Sequence, residues 1–195
     1  MVINGKSPGR RSIRLPRFDY SQMGAYFLTI CSAQRKCIFG HVEHGQVVET
    51  ALGQIIRACW LQIGTHFAAV ETDVFVVMPN HLHGILIIRR PSLRITKPQV
   101  EAFSAPVAGS IPTIVRTFKA AATREARKYG YLSNGPIWQR DYYERVIRDA
   151  KEYAETWRYI ASNPVQWESD ENHPRVFGKQ RPRLCQGARY IVPHA

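Results

Sequence analysis

The chain lacks long apolar runs, and its cysteines do not pair by spacing. Cys31, Cys37, Cys59 and Cys185 form no Cys-x-x-Cys motif, which argues against a zinc finger or a dithiol redox site. No stretch approaches the length that a membrane span requires. Residues 1–6 lack the apolar core of a signal peptide. We therefore expect a cytoplasmic protein that is not attached to a membrane.

Acidic residues are also scarce. The chain has 15 Asp and Glu against 27 Lys and Arg, which gives a net charge of +12 and a pI of about 9.9. Residues 1–18 and 172–195 carry basic side chains and no acid. This imbalance is typical of proteins that bind phosphates, so nucleic acid is the expected partner. Some of these basic residues can equally serve only to keep the tails solvated.

Motifs of several common enzyme classes are missing. The sequence has no Gly-x-x-x-x-Gly-Lys phosphate loop, no Gly-x-Ser-x-Gly elbow and no His-Glu-x-x-His helix. These absences argue against ATP use, serine hydrolase chemistry and zinc protease chemistry. No nucleotide cofactor is expected.

What is present is an alternation of strand-like and helix-like segments. Strands are predicted at residues 26–31, 70–77, 82–88 and 137–147, and helices after Thr50 with a stripe reaching Ile63, after Ser110, and from about Asp149 to Asn163. The stretch from Pro91 to about Pro106 is predicted to be a surface loop. The order β-α-β-β-α-β predicts an α+β, ferredoxin-like (split βαβ) fold with a four-stranded antiparallel sheet and helices on one face. A further C-terminal helix carries Tyr159.

His81 and His83 open the third predicted strand. Alternate residues of a strand point to the same face, so the two imidazoles should converge and could hold one divalent ion. Spacing alone favours the plainer alternative, in which the pair borders a turn and one ring donates to a backbone carbonyl.

Tyr159 and Asn163 lie one turn apart on the last predicted helix. Its apolar residues, with Tyr153 and Trp157 among them, define one face, and Tyr159 falls roughly 160° from the centre of that face at about 100° per residue. Tyr159 is therefore not needed for packing, and the Asn163 amide could complete a metal shell beside it. Tyr142 and Tyr143 are rival nucleophiles, although base stacking or packing is the preferred role for both.

Five blocks in order resemble the one-tyrosine HUH transposases, in particular the REP-associated tyrosine transposases of bacterial palindromic repeats. The blocks are residues 14–31, 78–84, 114–119, 138–143 and 159–164. The resemblance implies that His81, His83 and Asn163 bind Mg²⁺ or Mn²⁺ and that Tyr159 is the nucleophile. Relatives from insertion sequences often have Gln at the third ligand position, so Asn163 places the chain nearer the palindrome-associated branch.

The resemblance also implies an activity and a substrate. The expected reaction is nicking and strand transfer on single-stranded DNA bearing a hairpin, through a 5′-phosphotyrosine. Residues 1–20 would form a basic arm, 21–164 the catalytic domain and 165–195 a basic extension, in a nucleoid-associated monomer or homodimer. The sequence does not identify the base that activates Tyr159, with Glu152 and Glu155 as candidates. The expected phosphate contacts are Arg14, Arg116, Lys119, Arg140 and Arg145.

Three other functions remain open at this point. A DNA-binding protein of the same fold could keep the site without moving DNA. An RNA-binding module could use the same type of sheet, although no matching aromatic motif is visible. A replication or plasmid-mobilising nickase shares the chemistry but usually has further domains.

Overall fold

The computed structural model describes residues 18–89, 107–131 and 135–177. Its strands are β1 (Gly24–Cys31), β2 (Gly40–Glu43), β3 (Gln46–Glu49), β4 (Val70–Met78), β5 (His81–Ile88) and β6 (Tyr143–Ile147). Its α-helices are α1 (Ala51–Leu61), α2 (Ile63–His66), α3 (Ile111–Lys128), α4 (Ala150–Ser162) and α5 (Pro174–Phe177), with short 3₁₀ helices at Ala33–Arg35 and Trp167–Ser169. The predicted loop at 91–106 lies outside the described residues.

The main sheet has the strand order β4-β5-β1-β6, and each neighbouring pair is antiparallel. This order places the third long strand between the first and the second, as in the split βαβ arrangement. The predicted α+β fold and four-stranded antiparallel sheet are confirmed.

Side chains that alternate along β1 serve two cores. Leu28 and Ile30 are fully buried in the larger core, which includes residues of α1 and α3. Phe27 instead joins a smaller cluster with Ile160 of α4. The first two long helices therefore cover one face of the sheet, and α4 covers the other.

The predicted helix starts are confirmed by their caps. The Thr50 hydroxyl accepts a hydrogen bond from Gly53 N at 3.1 Å, and the Ser110 hydroxyl accepts one from Thr113 N at 3.4 Å. Asp149 caps α4 in the same way. Each cap satisfies a backbone donor that the first turn leaves unpaired. The first helix ends at Leu61, earlier than its apolar stripe suggested.

The strand predicted at 137–147 is wrong in its first half. Only Tyr143–Ile147 pairs with β1, and Trp138 makes one isolated bridge with Ser32. The ammonium of Lys119 reaches this segment and donates to the carbonyls of residues 139, 140 and 141. These carbonyls are therefore satisfied by a side chain rather than by a neighbouring strand.

The β2–β3 hairpin was not predicted. Its turn consists of His44 and Gly45, which have φ values of 50° and 74°, as the tight turns that join antiparallel strands require. Among the described residues, no helix is both long and apolar enough to cross a bilayer.

Candidate active site

His81 and His83 lie side by side on β5, on the face that α4 covers. Both side chains are fully buried, and their ring centroids are 4.3 Å apart. They stand opposite Cys31 and Thr29 of β1. The predicted convergence of the two imidazoles is therefore present in the structure.

Hydrogen bonds fix the protonation of His81. The side-chain nitrogen of Asn80 donates to the carbonyls of Arg35 and Asn172, at 3.1 and 2.8 Å. The Asn80 oxygen therefore faces His81 Nδ1, at 2.8 Å. Because that oxygen can only accept, Nδ1 carries the proton and Nε2 presents a lone pair. Nε2 is buried and has no hydrogen-bond partner among the described residues.

His83 uses its two nitrogens for two different contacts. Nδ1 is 2.9 Å from the Thr29 hydroxyl, and Nε2 is 3.3 Å from the Tyr159 hydroxyl. Burial lowers the pKa of His83 to about 4, although Asp170 opposes that shift. Burial, His83 and Arg35 hold the pKa of His81 well below its ordinary value. Both rings are therefore neutral near pH 7, which is the form that binds metals.

Asn163 ends α4 and turns its amide into the same site. Its side chain is 1% exposed, and its nitrogen donates to Asp170 Oδ2 at 2.8 Å. This bond leaves Asn163 Oδ1 buried and without a hydrogen-bond partner among the described residues. Asn163 also lies beside His81, whose pKa it raises. The structure thus brings the predicted third ligand to the histidine pair.

Asp170 is the member of the site that sequence reasoning missed. One carboxylate oxygen and one nitrogen from each of His81 and His83 lie within 4.8 Å of one another. Asp170 Oδ1 accepts from Asn172 N at 2.6 Å. The residue follows the helix-ending Pro164 and falls in the segment interpreted as a basic extension, where no spacing relates it to the histidines. Asp170 lies with Glu168 and Glu171 in a short acidic stretch that precedes the basic residues 172–195, so its charge alone did not single it out.

These atoms fit a divalent cation. Within the described part of the chain, His81 Nε2 and Asn163 Oδ1 have no hydrogen-bond partner, and each atom would be costly to leave buried in that state. Together with His83 Nε2 and the Asp170 carboxylate they form a mixed nitrogen and oxygen donor set. Such a set combines a borderline ligand with the hard oxygen ligands that Mg²⁺ and Mn²⁺ prefer.

Tyr159 lies over this site from α4 of the same chain. Its ring meets His83 edge to face at 5.2 Å between centroids and Phe27 at 6.0 Å. Of the two rival tyrosines, Tyr143 packs in the same cluster as Phe27, whereas Tyr142 packs against the larger core. The Tyr159 hydroxyl has a hydrogen-bond contact to His83, one of the two histidines of the candidate site.

The packing face predicted for the last helix is wrong in part. Tyr153 does pack on the sheet, but Trp157 is 44% exposed. Ile160 is fully buried, and Tyr159 and Asn163 flank it on the side that faces the sheet. The apolar stripe did not predict this face correctly, because two of the side chains that face the sheet, Tyr159 and Asn163, are polar residues of the candidate site.

The expected phosphate contacts have different surroundings. Arg14 lies outside the described residues. Arg116 and Arg140 are exposed, and Arg116 donates to the Thr113 hydroxyl at 3.2 Å. Arg145 forms an ion pair with Glu152 at the start of α4. The Lys119 ammonium donates hydrogen bonds to backbone carbonyls. Lys119 therefore contributes positive charge to its surroundings, but its main contacts stabilise the backbone.

Both residues predicted as candidate bases for Tyr159, Glu152 and Glu155, have carboxylates that interact with other groups. Glu152 also accepts from Arg148 N at 2.9 Å, in addition to its ion pair with Arg145. Glu155 lies 4.0 Å from the Lys151 ammonium. Glu152 therefore has a cationic partner on β6 and a backbone partner just before α4, and Glu155 has a cationic partner on α4.

Comparison with known proteins identifies relatives in sequence and in structure. The chain is 43% identical to an uncharacterized protein of Haemophilus influenzae over 167 residues, which cover 83% of this chain and 92% of that protein. It is 26% identical over 155 residues to a protein of the same organism named "Putative REP-associated tyrosine transposase", covering 77% of this chain and 75% of that protein. No protein-family model matches the chain.

A solved structure has the same fold. The REP-associated tyrosine transposase bound to a REP hairpin matches with a TM-score of 0.50 and 23% sequence identity. The match covers 85% of this chain and 77% of that chain.

Proposed function

We propose that the chain nicks and rejoins single-stranded DNA through a 5′-phosphotyrosine, because it is similar in sequence to a putative REP-associated tyrosine transposase and in fold to a REP-associated tyrosine transposase. We propose that the substrate carries a hairpin, as does the DNA bound by the structural relative. The reaction would require Mg²⁺ or Mn²⁺. The observation that carries the proposal is the Tyr159 hydroxyl, 3.3 Å from a histidine of a buried ligand group.

The ligand group and the nucleophile have separate tasks. His81, His83 and Asn163 would hold the cation, with Asp170 beside them. When bound, a divalent cation polarises a phosphate and offsets its charge in the transition state. The Tyr159 oxygen attacks phosphorus, the bond from phosphorus to the 3′ oxygen breaks, and that oxygen leaves as a 3′-OH after gaining a proton. A second 3′-OH can reverse the step and join strands without ATP.

His83 cannot serve both contacts at once. A ligand bond from Nε2 would use the lone pair of that nitrogen, which could then not also take part in the hydrogen bond with the Tyr159 hydroxyl. A ligand bond would therefore release the phenol from His83. The edge-to-face packing of Tyr159 on Phe27 and His83 would still hold the ring over the site.

The test is covalent capture of labelled DNA. Single-stranded hairpins from the genomic neighbourhood of the gene are incubated with protein and Mn²⁺, and adducts are separated on a denaturing gel. We expect an adduct from the wild type and from Tyr143→Phe, and none from Tyr159→Phe. Tyr143→Phe is the matched control, because Tyr143 packs in the same aromatic cluster.

Two outcomes would contradict the proposal. An adduct with Tyr159→Phe would show that another residue is the nucleophile, with Tyr143 the next to test. Tight binding of the hairpin by the wild type without any adduct would instead indicate a DNA-binding protein that no longer cleaves.

A further inference from the structure

An open cleft of about 510 Å³ lies between α3 and residues 138–140. Ala120, Thr123, Arg124 and Arg127 line it from α3. Residues spaced by three and four positions share one helix face, so these four form a single stripe along the cleft. The cleft is outside the metal and tyrosine site.

The charge of the cleft is positive. None of the described residues that line it is acidic. Arg127 and Arg140 are exposed and have no carboxylate partner among the described ion pairs. Arg124 is 72% exposed and lies 3.7 Å from Glu125, a distance at which an exposed pair contributes little. Their guanidinium groups are available to an anion.

Lys119 adds a buried cation to the cleft wall. Its three N–H donors are used by carbonyls at 2.9, 3.3 and 3.3 Å, and none of these partners is a carboxylate. Burial lowers the pKa of Lys119 to about 8, opposed by Cys31 and Asp141. An anion in the cleft would offset the cost of keeping this cation out of water.

The cleft lies at the same end of the sheet as the histidines. Gln139 N donates to Cys31 O at 2.9 Å, and Cys31 stands opposite His81 in the sheet. Yet α3 covers the opposite face from α4. An anion bound in the cleft is therefore separated by the thickness of the sheet from the phosphate that Tyr159 would attack.

We propose that this cleft binds the phosphodiester backbone of the substrate DNA, at phosphates away from the cleaved one. The proposal rests on the proposed function for the identity of the anion. Planar guanidinium groups bind phosphate oxygens in a bidentate manner. Arg124, Arg127 and Arg140 contact the backbone, while Lys119 fixes the wall and contributes charge.

The test compares two variants that lose the same number of charges. Arg124→Ala with Arg127→Ala removes two cleft cations from exposed positions on α3. Arg89→Ala with Lys151→Ala is the matched control, because both residues are exposed and neither lines the cleft. Binding of a labelled hairpin with single-stranded flanks is measured by fluorescence anisotropy at several salt concentrations.

We expect the cleft variant to bind about 10-fold more weakly at physiological salt, with the slope of log K against log salt lowered by about 1.4 to 1.8. The lower value corresponds to two single-strand phosphate contacts and the higher to two duplex contacts. The control should change the affinity by less than about 3-fold. Unchanged affinity and slope in the cleft variant, or equal losses in both variants, would overturn the proposal.

A second measurement separates this proposal from the first. At saturating concentrations of a short oligonucleotide that holds only the cleaved region, the cleft variant should still form the Tyr159 adduct. If the cleft variant alone loses hairpin binding and the wild type forms no adduct, the cleft proposal would be supported and the proposed nuclease activity would be rejected. Loss of the adduct on the short oligonucleotide would place the cleft in the reaction itself and overturn the assignment to flanking phosphates.

Discussion

Asp170 shows how one carboxylate can support a site in two ways. Its Oδ2 accepts from the Asn163 amide nitrogen, which leaves the amide oxygen as the atom available to a cation. Its own charge lies within 4.8 Å of both histidines. The residue thus orients one proposed ligand and provides a further one.

Replacing Asp170 with Asn should weaken binding of Mn²⁺ by about 10- to 100-fold. The new amide keeps an acceptor for Asn163 but removes the negative charge. Isothermal titration calorimetry with Mn²⁺ measures the change without requiring catalysis. Asn172→Ala is the control, because the Asn172 backbone N–H that donates to Asp170 is retained. Equal affinities for wild type and Asp170→Asn would exclude Asp170 as a ligand.

Lys119 predicts a dependence of stability on pH. Its pKa is about 8 in the fold against an ordinary value of 10.5. Between these values the unfolded chain binds more protons than the folded chain, so the contribution of Lys119 to stability rises as pH rises from about 8 to 10.5. The full change would be about 3 kcal/mol.

The measurement compares the wild type with Lys119→Met. Tyrosines titrate in the same pH range, but their contribution to stability is the same in both proteins and cancels in the difference. Free energies of unfolding from urea titrations at pH 7.5 and pH 10 should move in favour of the wild type by about 1 to 3 kcal/mol. A difference between the two proteins that stays constant over this range would show that Lys119 keeps an ordinary pKa.

At the scale of elements, local signals predicted the beginnings of helices well. Thr50, Ser110 and Asp149 each cap the helix that follows, because a side-chain oxygen next to an amphipathic run satisfies the first turn locally. The strands at 70–77 and 82–88 were predicted because both segments are rich in apolar and β-branched residues and a turn-like junction separates them. These features depend on neighbours in sequence.

The features that failed depend on distant residues. Residues 137–142 have strand-like composition, but Lys119, twenty positions upstream of Gln139, occupies their carbonyls. The sequence also placed His81, His83, Tyr159 and Asn163 in one proposed site, and the structure brings them together. Asp170 was not predicted as a site residue, because its contact with Asn163 forms only after the chain turns back at the end of α4.

Gly84 lies on β5 beside His83, and α1 packs so closely on it that a side chain at this position would clash. A Cβ at this position would lie 2.5 Å from Cζ2 of Trp60. The Trp60 ring is fully buried and packs edge to face on Phe118 at 5.3 Å, so it has little room to move. Gly84→Ala should therefore lower the free energy of unfolding by about 1 to 3 kcal/mol.

Chemical denaturation measures this loss, and Trp60→Leu provides the internal control. The smaller side chain removes the clash, so the double variant should be less destabilised than the sum of the two single variants. Strict additivity would show that Gly84 and Trp60 do not compete for the same space.

At the scale of the whole molecule, the sheet separates two groups of functional residues. The proposed metal ligands and Tyr159 lie on the face covered by α4, while the basic cleft lies beside α3. Affinity for DNA should depend mainly on the positive surface, because counterion release from phosphates dominates such binding. Cleavage should depend on the buried site.

Replacing both His81 and His83 with Ala should therefore separate binding from chemistry. The variant should form no covalent adduct with hairpin DNA, while its affinity stays within about 3-fold of the wild type and its salt dependence is unchanged. Anisotropy and denaturing gels measure the two properties on the same sample, and far-ultraviolet circular dichroism checks the fold. Persistent adduct formation would exclude the histidine pair from the reaction. A large loss of affinity in a folded variant would instead show that the metal site itself anchors the DNA, and that the two faces do not act independently.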